Sequence, residues 1–283
     1  MSIELELNLT IALDTATTLA RRAGDVLREG FTSHTAKIDF KGSTDLVTDY
    51  DRKSEAIIVP GLLDAFPTHH IVGEEGGGSS IPFEAADYRW YVDPLDGTTN
   101  FAHGVPHFCV SIAMCGRDGV PLVGVVYDPL LDECFQAVHG GGATLNGHAI
   151  HVSQTPDLSG ALVSSGFGYD SWTTPDNNTE EWGNFVVRAQ GMSRMGAAAL
   201  DLCYVAAGRF DGFWEHRLNP WDMAAGIACV AEAGGRLTNF RGGTEGLYDG
   251  PKRDVVASNG LIHERMLTVI VLGNAAPRPT PRK

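Results

Sequence analysis

Tyr91-Val92-Asp93-Pro94-Leu95-Asp96-Gly97-Thr98-Thr99-Asn100 is the stretch on which the reading of this chain turns. An apolar, strand-like approach ends in two carboxylates three residues apart and then a Gly-Thr-Thr turn. Pro94 fixes its own φ and lacks an N–H, and Gly97 reaches backbone angles closed to other residues, so the chain can turn sharply and present oxygens on one side. Hard divalent cations such as magnesium take oxygen ligands, usually a few carboxylates, and keep positions for water and substrate phosphate. Asp93, Asp96 and the Leu95 carbonyl between them supply such oxygens. Thr98 and Thr99 follow with hydroxyls and N–H groups suited to open a helix, whose N-terminus receives anions. The other reading is a loop in which the acids cap a helix or turn, the commoner use of Asp near Gly. The stretch alone leaves both open.

Two further segments bear on that choice. Ile71-Val72-Gly73-Glu74-Glu75-Gly76-Gly77-Gly78 sets paired acids directly after a short apolar strand, where a carboxylate can point into a cleft or simply sit in a solvated turn. Phe213-Trp214-Glu215-His216-Arg217-Leu218-Asn219-Pro220-Trp221-Asp222 runs into an apolar helix, and Asp222 stands where a cap or first-turn acid belongs. Capping accounts for each acid singly. It does not account for three acid-bearing segments, each ending an apolar run beside Gly or Pro, which suggests carboxylates converging on one cleft.

These residues resemble the inositol monophosphatase family of magnesium-dependent, lithium-sensitive phosphatases. The likeness runs from Lys41-Gly42-Ser43-Thr44-Asp45-Leu46-Val47-Thr48-Asp49-Tyr50-Asp51, through Gly73-Glu74-Glu75 and Asp93 to Phe101, to Trp221-Asp222-Met223-Ala224-Ala225-Gly226 and Glu232-Ala233-Gly234-Gly235. It covers nearly the whole chain. The resemblance implies that Glu74, Asp93 and the Leu95 carbonyl hold one Mg2+, that Asp93, Asp96 and Asp222 hold a second, and that a third, weaker ion also uses Glu74. Two cations roughly 4 Å apart can stabilise the attacking and leaving oxygens of an in-line phosphoryl displacement. They would also offset a formal net charge of −14, which otherwise repels an anionic phosphomonoester.

No Ser-His-Asp or Cys-His constellation is evident, so water is the favoured nucleophile. By the same resemblance Thr98 with Asp51 positions that water and helps take its proton, Gly97 and Thr98 offer N–H groups to the phosphate, and Glu215, Asp96 and the backbone near Ala198 meet the alcohol. Asp51 can equally be a helix cap, and Glu215 a surface acid paired with Arg217. The stretch Ser193 to Leu202 resembles the edge of the family's substrate pocket. Inositol 1-phosphate is the expected substrate. Histidinol phosphate, fructose 1,6-bisphosphate, nucleotide phosphates and NADP are the alternatives that relatives use. A non-catalytic member acting through protein contacts is the rival of a different class. The loop from Lys41 to Asp45 is one residue shorter than in the animal inositol enzymes, which bears on the third ion and on lithium.

Composition agrees. A chain of 283 residues with 43% apolar content can bury a large core. Its acidity, scattered basic residues and lack of an aromatic stacking motif argue against a nucleic-acid groove. No segment reads as a secretory signal or as a bilayer span, so the cytosol is the expected compartment, with no membrane partner. The five cysteines, in apolar surroundings, read as reduced core thiols.

Periodicity predicts helices over Leu9–Glu29, with Ile11, Ala12, Ala16, Leu19, Ala20, Ala23 and Val26 as the apolar face, and over Arg52–Phe66. Phe108–Cys115, Leu122–Tyr127 and Glu133–Val138 read as strands of an antiparallel meander, with a hairpin turn at Asn146-Gly147 and a plain turn at Gly140–Gly142. Further helices are expected over Thr179–Ala189, Ala197–Ala206 and Trp221–Ala233. Such alternation suggests layered helices and sheets, an α/β (α+β) fold, and the resemblance sharpens it to an α-β-α-β-α sandwich. It also implies one catalytic domain over 1–273 and a homodimer. The Pro-rich, basic tail 274–283 reads as disordered.

Overall fold

Two long helices open the computed structural model, which describes residues 3–34, 36–41, 46–175, 177–247 and 253–278. Helix α1 spans Ile3–Ser33; β1 (Ile38–Phe40) and β2 (Leu46–Thr48) form a small antiparallel pair, and α2 follows over Asp49–Ala65. Next come β3 (His70–Gly73), β4 (Tyr88–Asp96), the short α3 (Thr98–Ala102), β5 (Cys109–Gly116), β6 (Pro121–Asp128), β7 (Glu133–Val138), β8 (Gly142–Leu145) and β9 (His148–Ala149). The remainder is β10 (Leu162–Ser165), α4 (Thr179–Val186), β11 (Gly191–Ser193), α5 (Ala198–Ala206), β12 (Gly212–Leu218), α6 (Pro220–Glu232), β13 (Arg236–Thr238), β14 (Arg253–Ser258) and α7 (His263–Leu272).

These elements make five layers. A seven-stranded sheet runs β3-β4-β5-β6-β7-β8-β9, parallel at β3–β4 and antiparallel from β4 onward. Helices α1 and α2 cover one face; α5 and α6 pack on the other. The five-stranded sheet, ordered β11-β10-β12-β14-β13, lies beyond α5 and α6, and α4 and α7 close its far side. The expected α-β-α-β-α sandwich is therefore what the chain forms. Among the described residues no helix is long and apolar enough to cross a membrane.

Three apolar clusters fill the gaps: α1 and α2 against the large sheet, α5 and α6 between the sheets, and α4 and α7 against the small sheet. The α1 stripe is Leu9, Ala12, Ala16, Leu19, Ala20, Ala23 and Leu27, at helical spacing. Ile11 of the expected face is exposed and Val26 half-buried, so the stripe sits one residue off at its ends. The meander strands fall within a residue of their expected bounds. Leu145 pairs with His148 across Asn146-Gly147, both at positive φ (50° and 79°), as a two-residue hairpin turn requires. The Gly140–Gly142 turn is held by Glu232, whose carboxylate accepts from Gly140 N and Gly142 N, each at 2.9 Å.

The expected helix over Thr179–Ala189 is shorter, ending at Val186. All five cysteines are buried free thiols. The tail does not loosen at residue 274: Ala276 is buried, and the buried Arg188 guanidinium donates to the carbonyls of Asn184 (2.7 Å), Asn274 (3.3 Å), Ala276 (2.6 Å) and Pro277 (3.3 Å). Residues 279–283 lie outside the described residues, as does the Gly42–Asp45 part of the motif that begins at Lys41.

Candidate active site

The cleft is decided by an irregularity in β4. Asp93 is registered with Ser111 and Asp96 with Cys109, so three steps along β4 match two along β5. In a regular strand residues three apart point to opposite faces. The bulge adds one residue and returns Asp96 to the face of Asp93. That face looks toward α5 and α6: Ser111 Oγ donates to Trp221 O (3.2 Å), and Cys109 Sγ lies 3.6 Å from Asp96 Oδ2. Leu95 takes the opposite face, in the α1–α2 core. The sharp turn comes at Gly97, in the left-handed region at φ 92°, and starts α3 with Thr98.

Capping and function turn out to be joint. Asp51 is the third residue of α2: Oδ2 accepts from Thr48 N (2.7 Å) and Thr48 Oγ1 (2.6 Å), a capping box in which Thr48 is the cap. Its other oxygen, Oδ1, lies 3.1 Å from Thr98 Oγ1. That hydroxyl is also 3.0 Å from Leu95 O, so its single proton chooses between two acceptors. Asp222 repeats the device on α6: Oδ2 accepts from Asn219 N at 2.7 Å, which leaves Oδ1 outside the cap. Asp96 holds the start of α5, with Oδ1 accepting from Ala198 N (3.2 Å) and Oδ2 from Ala199 N (2.7 Å). The Ala198 N–H is thereby engaged, and Ala198 enters the cleft as wall.

Every site residue expected from the sequence except Asp51 lines one cleft of about 340 Å3: Glu74, Asp93, Leu95, Asp96, Gly97, Thr98, Ala198, Glu215 and Asp222. Asp51 stands behind it, through Thr98. Glu215 is buried on β12, and Arg217, its alternative partner, pairs instead with Asp170 at 2.8 Å. Sequence reading gave no role to Phe167, Tyr169, Arg194 or Asp201, which also line the cleft. Arg194 and Asp201 were legible only as part of the pocket-edge segment. Phe167 and Tyr169 sit in a Gly-spaced loop without a local signature.

Negative charge accumulates here. Burial, then Glu74, Asp96 and Asp222, drives Asp93 well above its ordinary carboxylate range. Burial, then Glu74, does the same to Asp222, and burial, then Asp201, to Glu215. Burial pushes Asp96 up to about 7 and Asp51 up to about 6, the latter against two hydrogen bonds from Thr48. Partial relief comes from Lys41, whose Nζ is 3.0 Å from Glu74 Oε1 and also contacts Glu75, and from Arg194, which acts on Glu215. Among the described residues no three His, Cys, Asp or Glu side chains stand ready-made at metal-holding separations. The donor chemistry nevertheless fits a hard cation: four carboxylates and a carbonyl, all oxygen, all mutually repelling.

A layered sandwich with carboxylates from the turn after β3, from β4 and from α6 around one cleft defines the class. The chain belongs to the inositol monophosphatase family, whose model matches residues 9–272. It is 45% identical over 261 residues to the Nus factor SuhB of Pseudomonas aeruginosa, covering 91% of this chain and 95% of that protein. It is 46% identical over 222 residues to the inositol-1-monophosphatase of Synechocystis, covering 78% and 75%. The solved inositol monophosphatase of Anabaena superposes with a TM-score of 0.84 at 40% identity, over 95% of this chain and 98% of that one. Family and relatives together support a phosphatase.

Proposed function

We propose that the chain is a magnesium-dependent phosphomonoesterase acting on a small polyol phosphate, with inositol 1-phosphate as the substrate. The observation that supports it is the meeting of Glu74, Asp93, Asp96 and Asp222 with the Asp51–Thr98 contact and Glu215 in one sugar-sized cleft. Glu74, Asp93 and the Leu95 carbonyl would hold one magnesium, Asp93, Asp96 and Asp222 a second, and Glu74 a weaker third. Bound there, magnesium supplies Lewis-acid activation of water and of the phosphate.

The chain's own residues do the rest. Thr98 Oγ1 orients the attacking water and passes its proton to Asp51 Oδ1. As the new P–O bond forms the ester P–O bond breaks, and the leaving alkoxide takes a proton from a second water. A carboxylate pushed up to about 6 by burial suits a base working near neutral pH. N–H groups of Gly97 and Thr98 face the phosphate oxygens. Glu215 accepts from the hydroxyls of the polyol and so favours such an alcohol over an apolar one.

Inorganic phosphate release from inositol 1-phosphate, histidinol phosphate, fructose 1,6-bisphosphate and NADP, with and without magnesium, tests this. Magnesium-dependent release, greatest from inositol 1-phosphate, is expected. No release from any of the four sinks the enzyme reading, and faster release from another compound reassigns the alcohol.

A second reading, a non-catalytic member acting through other contacts, draws on the Pseudomonas relative, which is named a Nus factor. A catalytically silent chain would need Asp51 only as part of the cap of α2 and would have no use for Thr98 on its other oxygen, yet that contact is in place. The absence of a nucleic-acid partner belongs to the proposal on the strength of the −14 charge. Electrophoretic mobility shifts with RNA at physiological salt would overturn that part.

A further inference from the structure

We propose that Glu55, on α2, is a positioning residue of the metal site that fixes the turn carrying Glu74. The inference rests on the phosphatase reading above. Glu55 is buried, 7% exposed, and both of its oxygens hold the chain just after β3: Oε2 accepts from Glu75 N at 3.0 Å and Oε1 from Gly77 N at 2.8 Å. Two glycines make room for it. A Cβ at Gly73 would lie 2.3 Å from Oε2, and one at Gly77 2.5 Å from Oε1. The turn is closed by Gly73 N donating to Gly77 O (2.8 Å), while Glu74 N donates to Val92 O of β4 (3.1 Å). The Glu74 backbone is thus fixed to the sheet on one side and, through its neighbours, to α2 on the other. The same stretch of α2 holds the Pro94 carbonyl through Ser54 Oγ (2.7 Å) and Thr98 through Asp51, so one helix face sets three segments of the cleft.

The rival explanation is a buried carboxylate that caps a turn and contributes only to stability. The two separate in metal affinity. A carboxylate accepts from both amides, whereas the isosteric Gln keeps one acceptor and sets an NH2 against the other N–H. Mn2+ binding to the metal-free, full-length protein, read by electron paramagnetic resonance, is compared for the parent and Glu55→Gln, with melting in EDTA recorded beside it. Positioning predicts that Glu55→Gln weakens Mn2+ binding by roughly 10–100-fold. The KM for magnesium rises in step, while kcat at saturating magnesium stays near the parent's.

A folded Glu55→Gln with the parent's Mn2+ affinity overturns the proposal, whatever its melting temperature. Should Glu55→Gln not fold, Gly77→Ala, which presses a Cβ on Oε1 without removing its charge, is read against the same two outcomes. A parent that binds no Mn2+ removes the phosphatase reading and this one with it. A parent that binds and variants that bind equally well remove this one alone.

Discussion

Asp93 shows how one side chain can work against the fold that holds it. It is buried, faces Glu74, Asp96 and Asp222, and has no cation of its own among the described side chains. Asp93→Asn removes a donor shared by both proposed ions, and kcat/KM should fall by more than the roughly 100-fold typical of residues that only support a ligand. The same change relieves repulsion in the metal-free protein, so melting in EDTA should move upward, by on the order of 1 kcal/mol. Near-parental turnover, or a large loss of stability, would remove Asp93 from that role. The residue types were readable from the sequence because carboxylates beside Gly and Pro are conspicuous. The division of labour within each carboxylate was not. That Asp51 and Asp222 each lend one oxygen to a capping box and keep the other for the cleft depends on where the helices start. Glu55 is not legible in the sequence because an acid inside a helix carries no local mark of what its far end touches.

At the scale of elements the bulge in β4 and the seating of α6 matter most. Helix α6 carries Asp222 and lies tight on the large sheet at Gly124 of β6, where an added Cβ would stand 2.6 Å from Ala225 O and 2.8 Å from Ala228 Cβ. Gly124→Ala should therefore lift α6 and cost about 1–3 kcal/mol of stability. Magnesium affinity should weaken with it, because Asp222 rides on the displaced helix. Chemical denaturation and Mn2+ titration of the same preparation check both, and an unchanged denaturation midpoint would show that the sheet yields. The meander and the long amphipathic helices could be read from periodicity alone. Helix α7 could not, because Thr268, Val269, Ile270 and Val271 favour a strand when read locally. Its helical state is set by packing, with His263, Met266 and Leu267 buried one turn apart against the small sheet. The bulge escaped as well. Pro94 announced an irregularity, but only the pairing with β5 shows which way Asp96 turns.

For the whole molecule the concentration of acids sets a pH dependence. Asp51 and Asp96 have folded values of about 6 and 7, above the 3.8 of an ordinary Asp, so the folded state binds their protons more tightly than the unfolded one. Their contribution is complete below pH 3.8 and is lost as pH rises through 6 to 7. Buried His263, pushed down to about 4 from 6.5, acts oppositely: its contribution is present above 6.5 and lost as pH falls toward 4. The two carboxylates outweigh the one imidazole, so melting in EDTA should fall as pH rises from about 5 toward 8. Magnesium should restore the alkaline side, by about 2.7 kcal/mol at a hundred times its dissociation constant. A metal-free melting temperature that climbs steadily to pH 8 would contradict this balance. The layer order was legible from the alternation of elements and from family likeness. The way five segments close on one another was not, because no local pattern records contacts between distant parts of a chain.

That distance has a consequence for how the protein is born. Asp51 stands on α2 and Asp222 on α6, so the chain must be made through α6 before the cleft exists. Contacts so far apart in sequence close late and slowly. An ion that needs Asp222 could therefore not seed the fold and could only select chains that have finished it, which would make its binding during refolding a clock for the seating of α6.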